Sequence, residues 1–165
     1  MNIDQCFTIF DHIHIPDELI NMCLCQEDKC FITDLRIKAF VHAVMLPTIK
    51  QTHSPAMDLE SLQPCAFHVH VSTRGLAPHN HLPHVLTSIL YLTDAEGDLI
   101  VYGSDGSEFR VHPKAGRMVV MHGAMMHAVE PSSDNQLRMS LVASYEYPGT
   151  QAVPTALPNG SPGAY

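Results

Sequence analysis

The feature that most constrains the fold is a series of short apolar or alternating segments that begins near residue 64, with Gly- or Pro-containing turns between them. The segments are "CAFHVHVST", "VLTSILYL", "DLIVYG", "SEFRVH", "RMVVMH" and "QLRMSLVASYEY". Strands that recur at intervals of about 8–12 residues are typical of a sandwich or barrel. We therefore predict a mostly β (α+β) fold, an eight-stranded double-stranded β-helix or cupin-like jelly roll, which encloses a cavity at one end.

The residues before this series have a different pattern. "PDELINMCLCQED" places apolar residues at helical spacing after a Pro and two acids, "DLRIKAFVHAVML" fits a helix or a strand, and "KQTHSPAMDLESLQP" is typical of a loop. We predict one domain over residues 1–147, in which a helical part over 1–63 packs on one sheet of a β core over 64–147. Residues 148–165 are rich in Pro and Gly, which predicts a C-terminal tail.

Charge and apolar patterning exclude some partners. Nine basic and seventeen acidic residues leave a formal charge of −8, which argues against nucleic acid as a partner. No apolar stretch reaches the roughly 18 residues of a membrane span, and the N-terminus does not resemble a secretory signal. We therefore predict a cytoplasmic protein with no membrane partner. Because Cys23, Cys25 and Cys30 lack paired CxxC spacing, we interpret them as reduced, buried residues of a helix.

Several of the twelve histidines are candidate metal ligands. His79 and His81, in "APHNHLPH", lie two residues apart, and on an extended strand they would project to the same face. A third ligand must come from a distant strand, and His127 in "GAMMHAVEP" is the best candidate. The competing histidines are His68 and His70 in "HVH", His84, and His122. Spacing alone leaves these alternatives open.

The order of motifs from Pro64 to Tyr147 resembles the prolyl-4-hydroxylase-like branch of the 2-oxoglutarate- and Fe(II)-dependent oxygenases. That branch carries HxD on a strand, a strand resembling "LTxxLYL", "GG-acid-L", "PxxG", a distal His before "xVxP", and a later basic residue. This chain has, in the same order, "HNH", "LTSILYL", "EGDL", "PKAGRMVV", "HAVEP" and "LRMS". None of these motifs is specific by itself, but the ordered series is.

The resemblance implies a dioxygenase that uses Fe(II), 2-oxoglutarate and O2 to hydroxylate an amino acid, a peptidyl residue or a small molecule. It assigns His79 and His127 to the metal and Arg138 to the far carboxylate of 2-oxoglutarate. A guanidinium suits that role because it donates two parallel hydrogen bonds to a carboxylate. Tyr91 matches a family tyrosine that also meets this carboxylate, and Ser140 lies two residues beyond Arg138 and could share its face.

The chain departs from the family at His81, where the family has Asp. Either His81 binds iron and completes a three-histidine face, or it points away from the metal, or the centre is degenerate and the fold only binds a ligand. We predict the first, with His79, His81 and His127 on the metal and Arg138 as a further catalytic residue. Rival functions are a catalytically degenerate metal- or ligand-binding module and an oxoacid-independent three-histidine dioxygenase. The retention of Arg138 with Tyr91 favours the oxoacid-dependent enzyme.

Overall fold

The computed structural model describes residues 7–25, 32, 34–51, 57–133 and 136–149. Within them the chain is mostly β, as predicted, with two antiparallel sheets and a few helices. The predicted tail over 148–165 lies outside the described residues from residue 150 onward. Its boundary with the domain stays a prediction.

Nine strands form the two sheets in the described part of the chain. The five-stranded sheet has the order β1 (Thr8–Phe10), β7 (Met118–His122), β4 (Leu86–Tyr91), β9 (Arg138–Glu146) and β2 (Gln63–Ser72). The four-stranded sheet has the order β3 (Leu76–His79), β8 (His127–Val129), β5 (Leu99–Tyr102) and β6 (Glu108–Val111).

The five-stranded sheet is covered on both faces, and this explains the continuous apolar run in "VLTSILYL". All six residues of β4 are buried. Alternate residues of a strand point to opposite faces, so Leu90 packs toward the helices while Ile89 and Tyr91 pack toward the smaller sheet. The core between the sheets comprises Ile89, Tyr91, Leu99, Val101, Val111, Val119, Met121, Met125 and Val142.

The helices pack on the outer face of the five-stranded sheet, as predicted. They are α1 (Asp17–Leu24), α2 (Leu35–Phe40) and α3 (Leu46–Lys50), with a π-helical turn (Val41–Met45) between α2 and α3. The segment that fits helix or strand by sequence is therefore helical. Its fully buried residues recur every fourth position, at Ile37, Val41, Met45 and Ile49, and this spacing directs one helical stripe at the sheet.

One strand escapes sequence analysis, since β1 lies in the part expected to be helical. It pairs with β7 at the sheet edge, and three residues are too few to show a periodic pattern. The turn at Gly116 also holds this N-terminal segment, because the Ile13 N–H donates to the Gly116 carbonyl at 2.9 Å. Gly116 has a φ of +79°, and a Cβ there would lie 2.7 Å from the Ile13 oxygen. Glycine is therefore required at this turn.

The cysteine interpretation is confirmed in part. Cys23 is fully buried on α1, but Cys25 is exposed after the helix ends, so the prediction of burial is wrong for that residue. Cys30 lies outside the described residues. In the ranges that the structure describes, no helix is long and apolar enough to cross a membrane.

Candidate active site

Three histidines converge at one end of the smaller sheet. His79 is the last residue of β3 and faces His127, the first residue of β8, across an antiparallel pair. Residues directly opposite on paired strands have Cβ atoms about 5 Å apart, so the two rings meet, with centroids separated by 4.3 Å. The Nε2 atom of His81 lies 3.2 Å from Nε2 of His127. One ligand atom from each histidine lies within 4.8 Å of the others.

His81 reaches this cluster from a loop. The expectation that His79 and His81 lie together on one strand is wrong, since β3 ends at His79. The His81 N–H instead donates to the Gly123 carbonyl at 2.8 Å, which fixes the loop against the segment between β7 and β8. A Cβ on Gly123 would lie 1.9 Å from the carbonyl oxygen of His84, so only glycine allows this close approach.

Backbone carbonyls set the tautomers of two of the three histidines. Nδ1 of His79 lies 2.8 Å from the Ala77 oxygen, and Nδ1 of His127 lies 3.1 Å from the Met125 oxygen. A carbonyl can only accept, so each Nδ1 carries the proton and donates it. Each Nε2 therefore keeps its lone pair for a metal ion, which is the usual arrangement of a metal-binding histidine.

Burial keeps two of the imidazoles neutral. Burial, together with the neighbouring His127 and His79, lowers the pKa of His81 to about 3. It also lowers the pKa of His127 to about 4, although the hydrogen bond to Met125 opposes that shift. Metal binding requires the unprotonated ring, so this environment favours a ligand over a cation.

The three imidazoles fit a transition-metal ion in a facial arrangement. Two metal–nitrogen bonds of about 2.1 Å at a right angle hold their nitrogens about 3 Å apart. The measured separation of 3.2 Å between His81 and His127 is close to this value. A face of three protein ligands leaves the remaining positions open for other molecules.

The competing histidines lie outside this cluster. Nδ1 of His122 accepts the Ala124 N–H at 3.1 Å within a turn. The ring of His68 stacks on His81 with centroids 6.2 Å apart, and His70 lines the cavity beside the cluster. His84 lies near Cys65 and Glu146 and is not part of the three-histidine cluster.

Arg138 points into the same cavity from β9. Its side chain is buried, and its guanidinium donates to the backbone oxygens of Arg74 at 2.9 Å and Glu130 at 3.1 Å. Burial lowers the pKa of Arg138, and the nearby Tyr91 opposes that shift. No carboxylate among the described residues pairs with this guanidinium. A buried cation without an anion is a favourable place for a ligand carboxylate.

Tyr91 and Ser140 line the cavity beside Arg138, and β4 and β9 pair them directly. Burial raises the pKa of Tyr91, and Arg138 opposes the shift, so the phenol stays protonated at neutral pH. Both hydroxyl groups belong to buried residues, and neither has a hydrogen-bond partner among the residues that the structure describes. Each is therefore available to a bound ligand.

The cavity that joins these groups has a volume of about 340 Å³, within the usual range for a small-molecule site. Its lining contains the three clustered histidines, Arg74 and Arg138, and its described lining has neither Asp nor Glu. Arg74 is exposed at the edge of the cavity. An anionic ligand would therefore meet positive charge and no carboxylate within this cavity.

Sequence analysis missed the groups that orient the ligands. The oxygens of Ala77 and Met125 each come from the backbone two residues before a histidine. Any residue type supplies a carbonyl, so no pattern of side chains reveals this role. The cavity wall at His70 was also missed, since "HVH" indicated a competing ligand pair and not a lining residue.

Comparison with known proteins agrees with this geometry. Residues 59–145, just over half of the chain, match the family model described as the 2OG-Fe(II) oxygenase superfamily. The fold is similar to a prolyl-4-hydroxylase from Pseudomonas putida, with a TM-score of 0.67, 20% identity, and coverage of 87% of this chain and 88% of that one. No curated protein sequence matches.

Two further solved structures share the fold at 12% identity. One is an oxidoreductase of the 2OG-Fe(II) oxygenase family from Burkholderia pseudomallei, with a TM-score of 0.65 and coverage of 85% of this chain and 84% of that one. The other is a prolyl hydroxylase from Trichoplax adhaerens in complex with a fragment of hypoxia inducible factor, with a TM-score of 0.64 and coverage of 86% and 83%. These likenesses confirm the double-stranded β-helix. With the family match over residues 59–145 and three histidines at the expected end of the sheet, the chain belongs to the 2OG-Fe(II) oxygenase superfamily.

Proposed function

We propose that this protein is an Fe(II)- and 2-oxoglutarate-dependent dioxygenase of the hydroxylase type, with the metal held by His79, His81 and His127. One observation carries the proposal: three converging imidazoles share a cavity with buried Arg138, and the described lining of that cavity has no carboxylate. A dianionic cosubstrate that chelates a dication suits this charge distribution.

Arg138, Tyr91 and Ser140 are the proposed binding groups for the far carboxylate of 2-oxoglutarate. The guanidinium is held in place by backbone oxygens, so little side-chain freedom is lost when it binds an anion. The protonated phenol of Tyr91 and the hydroxyl of Ser140 are donors with no other described partner. Together the three groups would orient the oxoacid so that its keto acid end faces the histidines.

When bound, Fe(II) and the oxoacid supply the O2 chemistry, while the protein supplies orientation and exclusion of water. His79 and His127 are held by their carbonyl partners, so their Nε2 atoms keep one direction. Apolar residues of the sheets, such as Ile89, Val129 and Val142, line the same cavity as the histidines and Arg138. They would keep water from the space in which the oxoacid lies.

The proposed substrates are an amino acid, a peptidyl residue or a small molecule. A substrate would enter past Arg74, which is exposed and lines the cavity, and which is a candidate contact for an anionic group. We also propose a cytoplasmic location, because Cys23, Cys25 and Cys65 are free thiols and reducing compartments maintain such thiols.

Anaerobic reconstitution tests the function directly. Adding Fe(II) and 2-oxoglutarate to the metal-free protein is expected to produce a visible metal-to-ligand charge-transfer band, and admitting O2 is then expected to release succinate. A His127→Ala variant is the control, since it removes a ligand and is expected to give neither. Absence of both the band and succinate in the wild-type protein would refute the proposal.

A second candidate is an oxoacid-independent three-histidine dioxygenase, and the lack of a carboxylate among the three clustered residues favours it. Such an enzyme need not keep a cation for an oxoacid, so the buried Arg138 favours the first candidate. Consumption of O2 with a substrate but without any oxoacid would support this second candidate. Metal binding without any O2 consumption would instead support a degenerate binding module.

A further inference from the structure

A second group of potential metal ligands lies outside the three-histidine cluster and has no part in the proposed oxygenase chemistry. It consists of Cys65 on β2, His84 in the loop before β4, and Glu146 at the end of β9. One ligand atom from each lies within 4.8 Å of the others. All three residues are half-buried, so a small ion could reach them.

A β-bulge turns Cys65 toward this group. In the pairing of β2 with β9, Pro64 lies opposite Tyr145 and Ala66 lies opposite Ser144, so Cys65 is the extra residue without a partner across the strands. A bulge changes the alternation of a strand and redirects a side chain. The Cys65 thiol lies 3.3 Å from the Ser144 oxygen, within reach of the β9 residues that face away from the helices.

The backbone also holds His84 in position. Its N–H donates to the His81 oxygen at 2.9 Å, and the next residue, Val85, donates to the Tyr145 oxygen at 2.9 Å. Nδ1 of His84 then lies 3.4 Å from the sulfur of Cys65. Three separate segments of the chain thus place a thiol, an imidazole and a carboxylate together.

The separation of these atoms fits tetrahedral coordination. With bonds of about 2.3 Å to sulfur and about 2.1 Å to nitrogen, a tetrahedral ion holds the two atoms about 3.6 Å apart. The measured distance from the Cys65 sulfur to Nδ1 of His84 is 3.4 Å. Three protein ligands of this kind leave the fourth position for water or another ligand.

The charges also favour a cation. The Glu146 carboxylate places a negative charge within 4.8 Å of the Cys65 sulfur. A dication bound there would compensate this carboxylate and the thiolate that forms when Cys65 coordinates it. Binding of an ion would release the thiol proton.

We propose that Cys65, His84 and Glu146 form a second metal site, separate from the three-histidine centre and suited to Zn²⁺. Thiolate and imidazole ligands together select Zn²⁺ over the hard cations that prefer oxygen ligands alone. His84 lines a second cavity of about 520 Å³ together with His79 and His81. The second ion would therefore lie beside the proposed oxygenase centre without sharing its ligands.

Titration of the metal-free, reduced full-length protein with Co²⁺ tests the site, because a thiolate ligand gives a near-ultraviolet charge-transfer band that histidines do not. Wild-type protein is expected to bind two Co²⁺ ions per chain, and the ion at Cys65 is expected to give this band. His127→Ala is expected to lose the ion at the three-histidine centre and keep the band. Cys65→Ser is expected to lose the band, while Cys25→Ser, which removes an exposed free thiol, keeps it. A band that survives in Cys65→Ser, or its absence in wild type, overturns the proposal.

The contributions of the other two ligands are measured by affinity. His84→Asn and Glu146→Gln should each weaken Co²⁺ binding at this site by more than the roughly 10- to 100-fold typical for loss of an outer-shell partner. Unchanged affinity in both variants overturns the assignment of these ligands. The His127→Ala background isolates the second site, so failure of the oxygenase proposal leaves this result interpretable.

Alkylation of the wild-type protein provides a test without any variant that could misfold. Peptide mapping after iodoacetamide treatment reports the modification rate of each cysteine. Zn²⁺ is expected to slow alkylation of Cys65 and to leave that of Cys25 unchanged. Equal Cys65 rates with and without Zn²⁺ overturn the proposal.

Discussion

Replacing Arg138 tests whether the buried cation anchors the oxoacid. The guanidinium has no carboxylate among the described residues, so a bound 2-oxoglutarate would supply its only anion in that part of the chain. Removing one partner of a buried charged pair costs about 2–5 kcal/mol of binding free energy. At about 3 kcal/mol, Arg138→Met weakens 2-oxoglutarate binding by about 100-fold. Arg138→Lys keeps the charge but loses the two parallel N–H donors of the guanidinium, and is expected to weaken 2-oxoglutarate binding by about tenfold.

The assay is anaerobic calorimetric titration of 2-oxoglutarate into metal-loaded protein. A second ligand, 2-oxovalerate, has a methyl group in place of the far carboxylate and should bind the wild type and Arg138→Met equally. Arg74→Met is the matched control, because Arg74 is an exposed arginine at the edge of the same cavity. Its effect on 2-oxoglutarate affinity is expected to stay below about threefold, as for other screened surface charges.

The free protein is also affected by this change. Arg138 donates to several part-buried backbone oxygens, and its loss removes these hydrogen bonds at a cost on the order of 1 kcal/mol of unfolding free energy. Titrations must therefore be done well below the midpoint of thermal unfolding. If Arg138→Met weakens 2-oxovalerate as much as 2-oxoglutarate, the residue acts by shaping the cavity and the proposed anchor is refuted.

Three further predictions follow from the described contacts. His81→Asp adds a carboxylate about 4 Å from a bound anion, and at an effective surface dielectric the repulsion between the two charges is about a few kcal/mol. This variant should therefore bind 2-oxoglutarate at least about tenfold more weakly. It should also have a lower Fe(III)/Fe(II) potential, measured by redox titration. Tyr145→Phe removes the buried 2.9 Å hydrogen bond to Ser88 and should lower the free energy of unfolding in urea by about 1–2 kcal/mol. A divalent metal at about 100 times its dissociation constant should stabilise the fold by about 2.7 kcal/mol, and His127→Ala should abolish this gain.

Each of these predictions has its own control. An unchanged potential in His81→Asp would mean that residue 81 does not bind the metal. Tyr102→Phe, at a half-buried tyrosine, should change the unfolding free energy by less than about 0.5 kcal/mol, and an equal loss in both tyrosine variants would contradict the assigned hydrogen bond. The metal stabilisation is best measured in the Cys65→Ser background, so that only the three-histidine centre contributes.

The β core could be predicted from sequence because the sequence patterns that indicate its strands and turns lie within each segment. Each strand carries its own alternation or apolar run and each turn its own Gly or Pro, so residues 63–146 follow the predicted order of strands. The segment over residues 34–46 was ambiguous, since a short apolar run fits a helix or a strand until its buried face is known. The short β1 depends on pairing with β7, which lies more than 100 residues away in sequence.

The candidate site was predictable only as far as its side chains match family motifs. His79, Tyr91, His127 and Arg138 stand at positions that the ordered motifs identify, and the structure brings them to one cavity. The loop position of His81 was not predictable, because it depends on one hydrogen bond to the Gly123 carbonyl. The second cluster was hidden for a similar reason, since the bulge at Cys65 is a property of the pairing between β2 and β9.

The histidine at position 81 is consistent with the charge distribution of the whole molecule. The chain carries a formal charge of −8, yet Asp98 and Glu130 pair with Arg110 on the surface, and the described lining of the cavity has no carboxylate. Inside the cavity, neutral imidazoles leave both charges of a bound dication uncompensated, and Arg138 adds another. A low-dielectric cavity concentrates this local field on a small anion although the surface is acidic. An aspartate at position 81 would reduce that field at its centre, so the His81→Asp variant measures how much of the oxoacid affinity depends on it.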